Sequence, residues 1–223
     1  MKRTRLHLRT LPLYCKGEEV MNMVTHIVGG GLGILILLLC VLRTALKGDV
    51  LGCFCSAIYG GCMIALYTMS SVYHGLRPGM GKKVLQVLDH CTIYFLISGT
   101  YTVIALTALH RVSPALSWTV FGIEWGLAAL AVTLTAIDLH NYRIFSMICY
   151  IGMGWLVVLF IPQVIQSMTL IGFYWLLAGG IAYTLGAILY GIGSKKAWFH
   201  SVFHIFVVLG SLLQFVAIFL YAL

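Results

Sequence analysis

The sequence predicts an all-α polytopic membrane protein: a bundle of seven transmembrane helices, amino terminus cytoplasmic and carboxyl terminus outside. Three observations predict it. Of the 223 residues, 61% are hydrophobic and 9% charged, and the mean hydropathy is +1.01. A soluble domain carries about 25% charged residues, so this chain cannot cover its own surface in water. Apolar runs long enough to cross a hydrocarbon layer of about 30 Å, which takes roughly 20 residues each, fill nearly the whole length. The basic residues, finally, are divided very unevenly between alternate turns.

The expected spans are Thr25–Leu46, Leu51–Tyr73, Val84–Leu109, Ser117–Ile137, Ile144–Ile161, Thr169–Tyr190 and Trp198–Ala222. Each is bounded by a short polar break: KGD at 47–49, RPGMGKK at 77–83, HRVSP at 110–114, DLHNYR at 138–143, PQVIQS at 162–167 and GSKK at 193–196. Pro162 is expected to stop the fifth span at its outer end, since proline cannot continue a helical ladder. No alternating ten-residue segments of the kind that build a membrane barrel are present. Residues 1–24 read as a basic cytoplasmic segment and 25–223 as the membrane domain. The opening MKRTRLHLRTLPLYCKGEE has no sustained apolar core and no small-residue cleavage site, so the first span is expected to serve as an uncleaved insertion signal.

Orientation follows from the basic residues. One side collects Lys2, Arg3, Arg5, Arg9, Lys16, Arg77, Lys82, Lys83, Arg143, Lys195 and Lys196, and the other only Arg43, Lys47 and Arg111. Loops rich in Lys and Arg stay cytoplasmic. The net charge of +8 is therefore a topology signal, and no nucleic-acid partner is expected. Cys15, Cys40, Cys53, Cys55, Cys62, Cys91 and Cys149 form no CxxC pair and mostly fall in apolar runs. They read as small buried hydrophobes without a disulfide.

Ionisable groups inside a span are costly and usually functional. His74 ends the second span, Asp89 begins the third, and His200 and His204 begin the seventh. The topology puts all four within one or two turns of the cytoplasmic boundary. His200 and His204, four apart, project from one helix face. Alone, an HxxxH is a weak metal signal, but His74 at matching depth supplies a third nitrogen. Three histidines with one open position are a known arrangement for catalytic zinc, and imidazoles suit zinc better than magnesium or calcium. Asp89 could bind directly or hold a metal-bound water. Ser70, four before His74, shares its face and is either a hydrogen-bond donor in the site or a serine bonded to its own helix.

Ahead of the first span stands Glu19-x-x-Asn22-x-x-Thr25-His26. It could close the cytoplasmic mouth of the site. The residues by themselves favour an ordinary helix start, with carboxylates near the positive end of the dipole. Glu124 lies nearer the outer side, and a structural hydrogen bond is its preferred reading. His90 points about 100° away from Asp89 and is read as a packing residue. Gly29, Gly30, Gly31 and Gly33 offer a small face for close helix packing.

Taken in order, Glu19-x-x-Asn22-x-x-Thr25-His26, Ser70-x-x-x-His74, Asp89-His90, Gly99-Thr100-Tyr101-Thr102 and His200-x-x-x-His204 resemble the hemolysin III family. That family is related to the adiponectin and progestin receptors and, more distantly, to the alkaline ceramidases. The likeness runs from Glu18 onward, and the short tails suggest the bacterial branch, hence a bacterial inner membrane. The resemblance implies that His74, His200 and His204 hold Zn2+, with Asp89 and Ser70 associated with the zinc-bound water and a ligand carbonyl. It gives weight to Glu19, Asn22 and His26 as a motif without assigning their role. The expected function is a zinc-dependent intramembrane hydrolase of lipid amide or ester bonds, with membrane lipids as substrate or ligand. The alternatives are a non-enzymatic sensor or regulator of membrane lipid homeostasis with structural zinc and, ranked lower, a pore-forming cytolysin.

Overall fold

The computed structural model describes residues 4–193 and 196–223; Lys2, Arg3 and Lys195 of the charge count lie outside them. Among the described residues every regular element is helical. Six helical stretches are long and apolar enough to cross a membrane. The end of the bundle that carries Arg77, Lys82, Lys83, Arg143 and Lys196 is the basic end, and the opposite one the far end.

Helix α1 (Lys16–Leu46) starts on a capping box, in which the Cys15 sulfur accepts from Glu18 N–H and the Glu18 carboxylate accepts from Cys15 N–H. Two of the amides that a helix start leaves free are thereby paired. Its end is closed by Gly48, whose φ of 68° is a left-handed conformation open to glycine at little cost. Asp49 then caps α2 (Val50–Gly75), accepting from Gly52 N–H at 2.8 Å. The two helices pack closely through small residues: a Cβ on Gly29 would meet the Tyr67 ring at 2.6 Å, and one on Gly60 would meet Leu37 at 2.6 Å. Gly31, by contrast, faces open space, so the four-glycine face is narrower than expected.

Helix α3 (Met80–Val103) continues through a π turn (Ile104–Ala108) and a 3-10 turn (Leu109–Arg111). Its apolar window is 83% buried, against 44% or less for the other five stretches, so α3 is the central helix. Helix α4 (Pro114–Ile137) begins with Ser113 as cap and Pro114 in the first turn, and ends at Asp138. Helix α5 (Arg143–Gly154) gives way to a 3-10 stretch (Leu156–Phe160) and then to α6 (Ile161–Gly193). Tyr101 bridges that transition, donating to Gly154 O and accepting from Val157 N–H. Helix α7 (Phe199–Ala217) ends in a π turn (Ile218–Ala222).

The expected stop at Pro162 is corrected. Pro162 stands in the first turn of α6, where its missing N–H has no helical acceptor to lose. The chain turns instead at Thr169 (φ 65°, ψ 165°), whose Oγ1 accepts from Gly172 N–H and caps the helical segment that leads back towards Gly193. Gly172 lies against Tyr221 at the far end, while Tyr150 and Tyr190, on the two arms of this stretch, both bond to His90 near the basic end. The 51 residues Arg143–Gly193 would measure about 76 Å as one straight helix; they run out and back.

At the far end the three basic residues of the sparse side converge on the end of α7. Lys47 donates to Leu223 O, Arg111 to Ala222 O, and Arg43 lies 4.8 Å from the centre of the Phe219 ring. At the basic end an amino-terminal arm, residues 4–15, crosses the bundle. Thr4 N–H donates to Asp138 and Arg9 to Ile137 O, while Lys83 donates to His7 O. All seven cysteines are unpaired.

Candidate metal centre

Helices α2 and α7 bring His74, His200 and His204 together, all buried, with one ligand nitrogen of each within 4.8 Å of the others. His74 sits on the last turn of α2 and His200 on the first of α7, with His204 one turn deeper. The start of α7 is held by Glu18, which accepts from the N–H of Trp198 at 2.7 Å. That bond spans α1 and α7 and fixes where the two histidines enter the bundle.

The second ring nitrogens set the tautomers. His74 Nδ1–H donates to Glu19 Oε2 at 2.7 Å, and His204 Nδ1–H to the Asn22 carbonyl at 3.2 Å. Each Nε2 therefore carries a lone pair. His74 Nε2 is buried with no partner among the described residues, and His204 Nε2 lies 3.1 Å from His200 Nε2. A buried nitrogen without a donor is costly, and a cation shared by the three would satisfy it. The donor set fits a metal that accepts imidazole nitrogen, and the carboxylate behind His74 is the usual support for such a ligand.

The site opens onto a cavity of about 180 Å³. Asp89, Ser70, His26, His200, His204 and Tyr190 line one end, with the Ser70 hydroxyl beside the Asp89 carboxyl. From Asp89 the cavity follows one face of α3 through Ile93, Ile97, Thr100 and Ile104, about 22 Å at the helical rise. Phe173, Leu176, Leu177 and Val207 face it. One end carries the titratable groups, and the remainder is mainly apolar.

Every residue singled out in the sequence as a site candidate reaches this region. Glu18, not Glu19, takes the helix-start role; Glu19, one residue on, turns to His74. Asn22 faces both His74 and His204, and His26 stacks on His204 with ring centres 3.8 Å apart. Neither His26 nitrogen has a partner among the described residues. His90, read from the sequence as a packing residue, holds Gln86 O at its Nδ1 and lies 3.2 Å from Tyr190 Oη at its Nε2, but it also lines the cavity beside Asp89. Glu124 is fully buried and neither carboxyl oxygen has a partner among the described residues, so the hydrogen bond expected for it is not formed.

Three residues of the site went unread. Tyr14 stacks on His200 with ring centres 4.8 Å apart, and burial, together with Tyr190, Glu19 and Asp89 nearby, pushes its phenol above the ordinary range. Tyr190 lines the cavity together with Asp89. Lys82 donates to Glu19 Oε1 at 2.5 Å. Tyrosines near a membrane boundary look like interface anchors, and a lysine in a turn looks like a topology charge, so neither pattern marks a site.

Helical spans around a buried three-histidine cluster that could hold a metal, beside an elongated and mainly apolar cavity, define a class: multi-pass membrane proteins with a candidate metal site among their helices. Within that class the chain belongs to the Haemolysin-III related family, whose match covers residues 14–215. It is similar to Hemolysin-3 of Bacillus cereus, 34% identical over 206 residues and 92% of each chain. Hemolysin-3 homolog of Bacillus subtilis (strain 168) is 32% identical over 204 residues, covering 92% of this chain and 94% of that one. A more distant relative is Monocyte to macrophage differentiation factor of Homo sapiens, 26% identical over 172 residues, 74% of this chain and 68% of that one. No solved structure matches the chain.

Proposed function

We propose that this protein is a seven-span membrane hydrolase of a bacterial inner membrane, amino terminus cytoplasmic, which cleaves lipid amide or ester bonds at a zinc centre held by His74, His200 and His204. The observation that carries it is the juxtaposition of three converging imidazole nitrogens with Asp89 and Ser70 at the titratable end of a mainly apolar cavity. The reversal at Thr169 and the eleven-to-three division of basic residues support the span count and the orientation.

Zinc so held supplies Lewis acidity to a carbonyl and lowers the pKa of a coordinated water to about 7. The protein's own groups supply the rest. Asp89 takes a proton from the attacking water and returns it to the departing amine or alkoxide as the acyl bond breaks. Ser70 donates a hydrogen bond to the carbonyl oxygen. The face of α3 from Ile93 to Ile104 and the opposing Phe173 and Leu176 hold the acyl chain and keep bulk water away.

The first test is metal content by elemental analysis of detergent-purified protein. About one zinc per chain is expected in wild type and none in the His200→Ala/His204→Ala variant. Wild type free of metal after zinc reconstitution ends the hydrolase reading. The second is fatty-acid release from a panel of ceramide-like and phospholipid substrates. Asp89→Ala is expected to lower the rate by at least 100-fold, the scale of general acid–base catalysis, while keeping its zinc. Zinc-loaded wild type inert across the panel would turn the assignment to a sensor.

That second reading, a non-enzymatic regulator in which the metal ties α2 to α7, is favoured by the Tyr14 ring covering His200. A closed site favours structure and an open one chemistry. The name Hemolysin-3 of the Bacillus cereus relative suggests lysis, but the apolar lining along α3 suits a chamber better than a water-filled channel. Dye leakage from liposomes at low protein density would favour lysis instead.

A further inference from the structure

Among the described residues Lys82 is the most deeply placed cation near the histidines, and nothing about its position suits a charge whose only task is to stay in water. It is 3% exposed, whereas the adjacent Lys83 reaches out to the arm. Its ammonium is held from three directions: Glu19 Oε1 at 2.5 Å, the Leu76 carbonyl at 3.1 Å, and the Tyr73 ring, 5.1 Å to the centre. Burying an ammonium costs several kcal/mol unless its donors are paired, so this arrangement is selective about where the lysine sits. The Glu19 side chain is 21% exposed and would otherwise be free to turn towards water. Lys82 occupies one oxygen and leaves the other, Oε2, facing His74 Nδ1 at 2.7 Å.

We propose that Lys82 is a positioning residue for the metal centre, holding Glu19 on His74 through an unbroken Lys82–Glu19–His74 chain. This rests on the reading that the three histidines hold a metal. A carboxylate on the far nitrogen of a ligating histidine fixes its tautomer and orientation and makes the ring a better donor. Lys82 acts one step further out, by choosing which way that carboxylate points. It also links the centre to the turn between α2 and α3, since the same ammonium binds Leu76 O.

The test is zinc affinity of the purified full chain, by competition with a chelator, in a double-mutant cycle. Lys82→Met and Glu19→Gln are each expected to weaken binding by about 10–100-fold, the usual loss when such a supporting partner is removed. The double variant is expected to be no weaker than Glu19→Gln alone, because Lys82 has nothing left to position. Lys82→Arg should recover most of the affinity. Losses that add, or Lys82→Met binding like wild type, would overturn the role. Wild type that takes up no zinc would overturn the metal reading itself, and this role with it. A measurement on wild type guards against a variant that does not fold. Amine labelling of Lys82, read by mass spectrometry, should be slower in zinc-loaded than in stripped protein, with Lys47 at the far end unchanged. Equal labelling of Lys82 in both states argues against the chain.

Discussion

His74 shows how much one side chain does here: its Nδ1–H is committed to Glu19, which leaves Nε2 buried beside the other two rings with no partner among the described residues. His204 is committed in another way, because its Nδ1–H bonds to the backbone carbonyl of Asn22 and not to a side chain. Asn22→Ala keeps that carbonyl and loses only the amide lying 3.4 Å from His74. Zinc affinity in Asn22→Ala is therefore expected to fall less than in Glu19→Gln, within about tenfold of wild type, by the same chelator competition. The histidines were legible in the sequence because their depth could be inferred from topology alone. The Glu19 contact was not. Periodicity showed that Glu19, Asn22 and His26 share a face of α1, but which face meets α2 and α7 is settled by packing, through Gly29 against Tyr67 and Glu18 against Trp198.

The elements were more legible than their junctions. Apolar length sufficed for the spans, and the reading of a sixth span from Thr169 agrees with the cap that Thr169 forms. The junction ahead of it was misplaced because proline ends one helix or begins the next with nearly the same local pattern. At α1–α2 the contact depends on absent side chains. Gly60→Val would drive a Cβ into Leu37 at 2.6 Å and is expected to cost about 1–3 kcal/mol, read as a lower thermal midpoint in detergent. The arm makes a separate contact at Asp138. Burial works to raise the Asp138 carboxyl, but the amides of Thr4 and Asn141 and the charge of Arg9 outweigh it and hold the group at about 2. A depressed carboxylate stabilises the fold above its unfolded pKa, and the contribution disappears as pH falls through the folded one. The arm is therefore expected to stay seated from neutral pH down to about 4 and to loosen towards 2. At neutral pH, Asp138→Asn should speed tryptic cleavage after Arg9, which the wild-type contacts protect.

At the scale of the molecule, topology is the open prediction. Reporters fused to the two ends should respond from opposite sides of the membrane; the same side would mean an even number of crossings. The uneven distribution of charge carried this inference in the sequence, and the structure adds that the sparse side's three cations cluster on the end of α7. One contact at the opposite end bears on how the protein is handled. Tyr14 lies on His200 at the inner end of an arm anchored at Asp138, so a purification tag placed before Thr4 would tug on the lid of the centre. The same tag after Leu223 would hang from the far side of the bundle. Comparing zinc retention between the two placements would show whether the arm seals the ion in, and that choice should be settled before any affinity is quoted.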